Sequence, residues 1–304
     1  MKRTLFALTG LLLVSLACAG DAAGTLRSGK VLPKVGLSII RTASSTTLEG
    51  LLYSGGSLTT KVQANFSAFL IKHGEDALLF DTGLGSHVSQ QYAQDMPFWA
   101  RPFFRYDEPV VTARSQLDKA DMPPVGTIII SHSHWDHASG ISDFPEATVS
   151  APASELEVIR HAGESFGGAW PSQVGSPTIK WKSLEFKPTP HEGFDASLDW
   201  FGDGSVVLVP LDGHTPGSVG IFVTVDSKRR YFLVGDTVWR AAALKAGRPK
   251  FWVASLLVDH DRAKTQQVVE QIRAVMKRNA DLTVVPSHDA TVQDALGYFP
   301  NWVK

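Results

Sequence analysis

Val125-Gly126-Thr127-Ile128-Ile129-Ile130-Ser131-His132-Ser133-His134-Trp135-Asp136-His137 runs from a β-branched stretch into a dense group of histidines and one aspartate. The apolar part has the length and composition of a strand buried on both faces. The polar part then falls at a strand end, where α/β folds keep their chemistry. His132 and His134 are two apart, so in an extended loop their imidazoles point the same way and reach one cation. Asp136 and His137 are adjacent and diverge, which suits a second cation beside the first.

Working outward, three more donors follow later strands. His214 lies in Asp212-Gly213-His214-Thr215-Pro216-Gly217-Ser218, Asp236 in Gly235-Asp236-Thr237, and His288 in Pro286-Ser287-His288-Asp289. His214 could complete the first site and His288 the second, while the two oxygens of Asp236 could bridge both. Three histidines and a bridging carboxylate leave a position for water, the mark of a catalytic rather than a structural zinc site. Five of the ten histidines belong to this pattern. The others, His73, His87, His161, His191 and His260, stand alone and read as loop residues.

The flanking chain alternates strands and helices. Leu37–Ile40 and Leu48–Tyr53 read as short strands, and Phe66–Ile71 with Ala77–Phe80 as a hairpin turning at 73–76. Ser86–Gln94 reads as a short helix and Ser154–His161 as a helix capped by Ser154. Val206–Val209, Gly220–Val225, Tyr231–Val234 and Thr283–Val285 read as strands. Asp261 caps a helix to Arg278 with Val268, Val269, Ile272 and Val275 on one face. This order suits an α/β fold of two sheets packed face to face with helices outside.

Composition narrows the partners. With 29 Lys and Arg against 30 Asp and Glu, the net charge is −1, and no basic run offers a nucleic-acid footprint. Lys2 and Arg3, the apolar run Leu5–Leu16 and the small residues Ala17-Cys18-Ala19-Gly20 follow the order of a secretory signal peptide. Residues 1–23 are therefore expected to be a signal segment, cleaved after Ala19 or Ala23, and 24–304 a single periplasmic or secreted domain with no membrane span. Lipid anchoring through Cys18 is a minority reading. Cys18 is the only cysteine, so without it any metal must be held by His and carboxylate.

The motifs Asp81-Thr82-Gly83, Ser131–His137, Gly213–Gly217, Gly235-Asp236 and Ser287-His288 resemble the metallo-β-lactamase superfamily in kind and order, over roughly residues 35 to 295. The resemblance implies a four-layer αββα sandwich. It implies one metal site of His132, His134 and His214 and another of Asp136, His137 and His288, bridged by Asp236. Two divalent cations are then the expected cofactors, zinc by default, with iron, manganese or cobalt fitting the same ligands. Such a pair would acidify a shared water so that hydroxide attacks a small-molecule carbonyl or phosphoryl centre. Asp136 is the catalytic candidate, as ligand and as proton donor to the leaving alkoxide.

Within the superfamily, Asp236 counts against β-lactamases, and the sixteen residues after His288 count against glutathione-thioester hydrolases. The chain most resembles N-acyl-homoserine lactonases and organophosphate hydrolases. The lactonases typically carry Tyr three residues after the bridging Asp, where this chain has Trp239, a donor that cannot accept. The expectation is a lactone or ester hydrolase. An aryl phosphotriesterase, a β-lactamase and a single-iron redox variant are alternatives, as is a non-catalytic metal-binding envelope protein. The aromatic segment Met96–Tyr106 reads either as packing or as an apolar wall over the metals, packing being slightly favoured. Sequence leaves the oligomeric state open.

Overall fold

Side chains that alternate between two buried faces of the strands build the molecule in layers. The computed structural model describes residues 32–303. The expected signal segment with Cys18, and the start of the domain as far as residue 31, lie outside the described residues. The first half of the fold comprises β1 (Val35–Leu48), α1 (Glu49–Leu52), β2 (Lys61–His73), β3 (Asp76–Phe80), α2 (Val88–Asp95), α3 (Ala113–Lys119), β4 (Thr127–Ile129), α4 (Trp135–Ala138), β5 (Thr148–Pro152), α5 (Ala153–Arg160), α6 (Pro171–Val174) and β6 (Lys180–Leu184). The second half comprises β7 (Leu198–Asp199), β8 (Val206–Pro210), β9 (Val219–Thr224), β10 (Arg230–Leu233), α7 (Ala241–Ala246), α8 (Trp252–Val258), α9 (Arg262–Arg278), β11 (Leu282–Val285) and α10 (Ala290–Leu296).

The first sheet has the order β1-β2-β3-β4-β5-β6 and the second β11-β10-β9-β8-β7. Strands β3 to β6 run parallel, while β1, β2 and β3 are antiparallel neighbours. Leu37, Ile39, Phe69, Phe80 and Ile129 meet Leu208, Ile221, Tyr231 and Val285 in one buried cluster between the sheets. The intervening residues Ile40, Leu70, Leu79, Ile128 and Ile130 point the other way, onto Ala113 and Leu117 of α3 and Ile159 of α5. Both faces of β4 are thus covered, which is why its sequence is an uninterrupted apolar run. On the far side, Val268, Val269, Ile272 and Val275 of α9 pack on Val209, Phe222 and Phe232. The expected αββα layering results.

Asp261 caps α9 as expected, its side chain accepting from Lys264 N. Two local expectations fail. Leu48–Tyr53 is not a strand: β1 runs from Val35 to Leu48 and the chain then turns into α1. The Glu49 carboxylate accepts from Ser57 N and Tyr53 OH and closes that turn. Ser154 is not the cap of α5, which starts at Ala153 after Pro152 without a side-chain cap. Among the described residues, no helix is long and apolar enough to cross a membrane.

Candidate active site

All seven sequence-identified donors converge at one edge of the two sheets. His132 and His134 follow β4, and Asp136 and His137 sit on α4, whose first turn is closed on the His134 carbonyl. His214 is in the β8–β9 loop, and Asp236 and His288 follow β10 and β11. Gly213 holds the His214 loop against the start of α9 with φ +143°; a Cβ there would come within 2.4 Å of Thr265 N, so only glycine allows this approach. None of the five lone histidines joins the group; His73 instead stacks on Phe201 and pairs with Asp203.

The donors form two sets. His132, His134 and His214 place ligand atoms within 4.8 Å of one another, and so do Asp136, His137, Asp236 and His288. Asp236 lies between them. Its Oδ1 is 3.0 Å from His288 Nε2 and 3.3 Å from His137 Nε2, while its Oδ2 is 3.8 Å from His214 Nε2. Asp136 Oδ2 is 3.2 Å from His288 Nε2.

The imidazoles are aimed by what holds their other nitrogen. His137 Nδ1 faces Asp81 Oδ2 at 2.8 Å, His214 Nδ1 faces Asp259 Oδ1 at 2.8 Å, and His288 Nδ1 faces the Asn65 carbonyl at 2.7 Å. Ser131 Oγ donates to Asp81 Oδ2 and so accepts from His132 Nδ1 at 2.9 Å. Assigned from these acceptors, each Nδ1 carries the hydrogen and each Nε2 presents a lone pair inward. His132 Nε2 and His214 Nε2 are 3.2 Å apart, two lone pairs facing one another. His137 Nε2 and Asp236 Oδ1, 3.3 Å apart, lack hydrogen-bond geometry and among the described residues find no hydrogen-bond partner. A cation resolves both defects, so the residues fit a metal.

Titration behaviour separates the two sets. Burial, then the neighbouring imidazoles, hold His132 and His134 well below the usual histidine range. Burial and then Lys250 lower His214. In the other set burial acts against charge but loses: Asp81, Asp236 and Asp136 lift His137 well above its usual value, and Asp236 lifts His288. Burial above all raises Asp136, and Asp236 adds to it. The first set offers neutral nitrogen ligands; the second is a site of negative potential that favours any cation.

Several residues around the donors were not identified from sequence. In the sequence Asp81 is only the first residue of the Asp81-Thr82-Gly83 motif. It adopts φ +60°, strained for a non-glycine, and its carboxylate accepts from Ser131 N, Ser131 Oγ and His137 Nδ1. Buried Glu155 accepts from Ser133 N and Oγ on one side and from Thr215 Oγ1 and Gly217 N on the other. Buried Lys250 pairs with Asp259 at 2.5 Å. No local sequence signal marks these contacts.

Trp239 donates its indole N–H to Asp236 Oδ2 at 2.8 Å, so the position in doubt from sequence serves the central carboxylate. Trp239→Phe keeps a flat ring and removes that donor. We expect roughly tenfold weaker cation binding, read by chelator competition; unchanged affinity would show the bond to be idle.

His134, Asp136, His214, Asp236 and His288 floor a cavity of about 380 Å³ whose wall is largely apolar and aromatic. Trp99, Phe103 and Phe104 line it together with Phe166 and Leu257. Ala100 from the same segment is instead buried in the cluster around Trp135 and Trp170, and Met96 belongs to that cluster while also reaching the cavity. The aromatic segment therefore does both things the sequence offered, packing inward and walling the cavity.

A family model described as the metallo-beta-lactamase superfamily matches residues 66–288. A probable metallo-hydrolase of Mycobacterium tuberculosis is 30% identical over 72% of this chain and 73% of its own length. The N-acyl homoserine lactonase AttM of Rhizobium radiobacter is 27% identical over 57% of this chain and 60% of its own. A Penicillium brevicompactum protein named as a cytochrome P450 monooxygenase is 24% identical over 80% of this chain, which spans only 32% of that protein's length. Among solved structures, an N-acyl homoserine lactone hydrolase with N-hexanoyl-L-homoserine at its catalytic metal center superposes with a TM-score of 0.68. It is 17% identical, over 90% of this chain and 100% of that one, a likeness of fold.

Proposed function

The chain belongs to the metallo-beta-lactamase superfamily of metal-dependent hydrolases, and from that premise we propose that it hydrolyses lactones or related carboxylic esters at a two-cation centre. The observation that carries the reading is Asp236, set between two complete donor sets on the floor of an apolar cavity of about 380 Å³. His132, His134 and His214 would hold one cation and Asp136, His137 and His288 the other, with Asp236 shared. Two divalent cations, zinc by the nitrogen-rich donor set, supply Lewis acidity and a water acidic enough to act near neutral pH.

The chain's own residues supply the rest. Asp81, Ser131, Asp259 and the Asn65 carbonyl fix the imidazole tautomers, so the inward lone pairs need no rearrangement. Trp99, Phe104, Phe166 and Leu257 give an acyl or aryl substituent a wall and exclude bulk water from the reacting carbonyl. Asp136 faces the cavity. As a ligand it would be ionised, so it is placed to take the proton released by the attacking water and pass it to the departing alkoxide.

Metal analysis beside a pH-based screen of lactones, aryl esters, aryl phosphotriesters and a chromogenic β-lactam tests the reading. We expect about two cations per chain, as a bridged pair of sites requires, and fastest turnover on lactones or esters. Faster turnover of a phosphotriester would reassign the substrate, and a metal-loaded protein silent on the whole panel would overturn the hydrolase of lactones. We further propose that residues 1–23 are an export signal and 24–304 the exported single domain, on the basic, apolar and small-residue order of that segment.

A further inference from the structure

The two donor sets share a construction that differs in one residue. In each, an inward imidazole is backed by a buried carboxylate: Asp81 behind His137 and Asp259 behind His214, both at 2.8 Å. Among the described residues, Asp81 is bonded by neutral donors and His137, namely Ser131 N, Ser131 Oγ and His137 Nδ1. Asp259 instead meets a buried cation. Lys250 Nζ lies 2.5 Å from Asp259 Oδ1, 3.0 Å from His214 Nδ1 and 5.4 Å from the centre of the Trp239 ring. Ser255 Oγ donates to the other oxygen, Oδ2. The ligands themselves add to the contrast, since the His132, His134 and His214 set holds no carboxylate of its own, whereas the other set holds Asp136 and Asp236.

We propose that Lys250 is a positioning residue that makes the two cation sites unequal, leaving the three-histidine site the weaker and last to fill. The proposal rests on the two-cation reading above. The reason is electrostatic. A carboxylate behind a ligating imidazole strengthens the ligand and attracts the cation. An ammonium paired with that carboxylate cancels its charge and adds repulsion through His214, in a buried place where screening is weak. Its neighbours leave it no other work: Lys250 is almost fully buried and does not line the cavity, so it is not a group for binding substrate.

The test is titration of the full-length, metal-stripped protein with Zn2+ by calorimetry and chelator competition. The wild type should bind in two steps at least about tenfold apart, and His214→Ala should remove the weaker step alone. Lys250→Met should tighten the weaker step about tenfold, Lys250→Arg should keep the wild-type gap, and Asp259→Asn should widen it. The opposite signs of Lys250→Met and Asp259→Asn separate charge from loss of packing, and circular dichroism confirms that each variant is folded. Equal steps in the wild type would overturn the proposal without any variant. So would a gap that ignores both substitutions. A single step with one cation per chain would instead overturn the two-cation reading itself.

Discussion

Replacing Asp236 by alanine is expected to reduce bound metal from about two cations per chain to fewer than one, and kcat/KM by about 10³-fold or more, the scale of a lost metal-centred stabilisation. Asp236 alone presents an oxygen toward each donor set, with Oδ1 3.0 Å from His288 Nε2 and Oδ2 3.8 Å from His214 Nε2. Without it, the inward Nε2 atoms of His137 and His288 retain only Asp136 as an anionic neighbour, and the first set loses the carboxylate that faces its inward nitrogens. The Trp239 indole N–H, now bonded to Oδ2, would also be left without its acceptor. Asp136→Ala is the control: that carboxylate touches only the second set, so one cation should remain. Elemental analysis of the two variants side by side decides the matter. Two cations and full turnover in Asp236→Ala would mean that the carboxylate does not bridge.

The donors were legible in the sequence because each is announced locally. A histidine pair two apart directs two rings to one side, and each remaining donor closes a recognisable apolar run. The groups that aim those donors are announced by nothing local. Asp81 reaches a histidine 56 residues away, Asp259 one 45 residues away, and Glu155 joins loops 22 and 62 residues distant. A buried carboxylate of this kind reads in the sequence as an ordinary surface charge. Asp81 shows the point within a motif that was noticed, since its role depends on the left-handed backbone that turns it toward Ser131 and His137.

The same distinction explains the fold. Strands that are apolar runs bounded by a turn, such as Phe66–Ile71 within β2, were visible in the sequence. The second half of β1 was not, because Arg41-Thr42-Ala43-Ser44-Ser45-Thr46-Thr47 carries almost no apolar signal. Its backbone nevertheless pairs with β2 as far as Leu48 opposite Lys61. The aromatic stretch Met96–Tyr106 divides by residue and not by segment. Ala100 is buried in the core, Met96 is buried yet reaches the cavity, and Phe103 is 70% exposed there. A pattern of residue types cannot make that division before the tertiary contacts exist.

Glu155→Ala is expected to destabilise the protein by about 3–5 kcal/mol through the donors it leaves unpaired, lowering Tm by roughly 10 °C for a chain of this size. The carboxylate is fully buried and takes four donors, Ser133 N at 2.7 Å, Ser133 Oγ at 2.6 Å, Thr215 Oγ1 at 2.6 Å and Gly217 N at 3.1 Å. The hydroxyls can turn to other partners, but the two backbone N–H groups cannot, and each sits in a loop that carries a histidine of the first set. Glu155→Gln should rescue little. All four neighbours donate, so an amide nitrogen would face a donor where the carboxylate offered an acceptor. The loss should therefore have a second signature. Cation binding at His132, His134 and His214 should weaken, since Glu155 is the tie between the Ser133 and Thr215 loops, and the Tm gained on adding Zn2+ should shrink relative to the wild type. Thermal melts of the stripped and loaded variant measure both effects. A Glu155→Ala protein that melts with the wild type in both states would show that the two loops hold their histidines without this carboxylate.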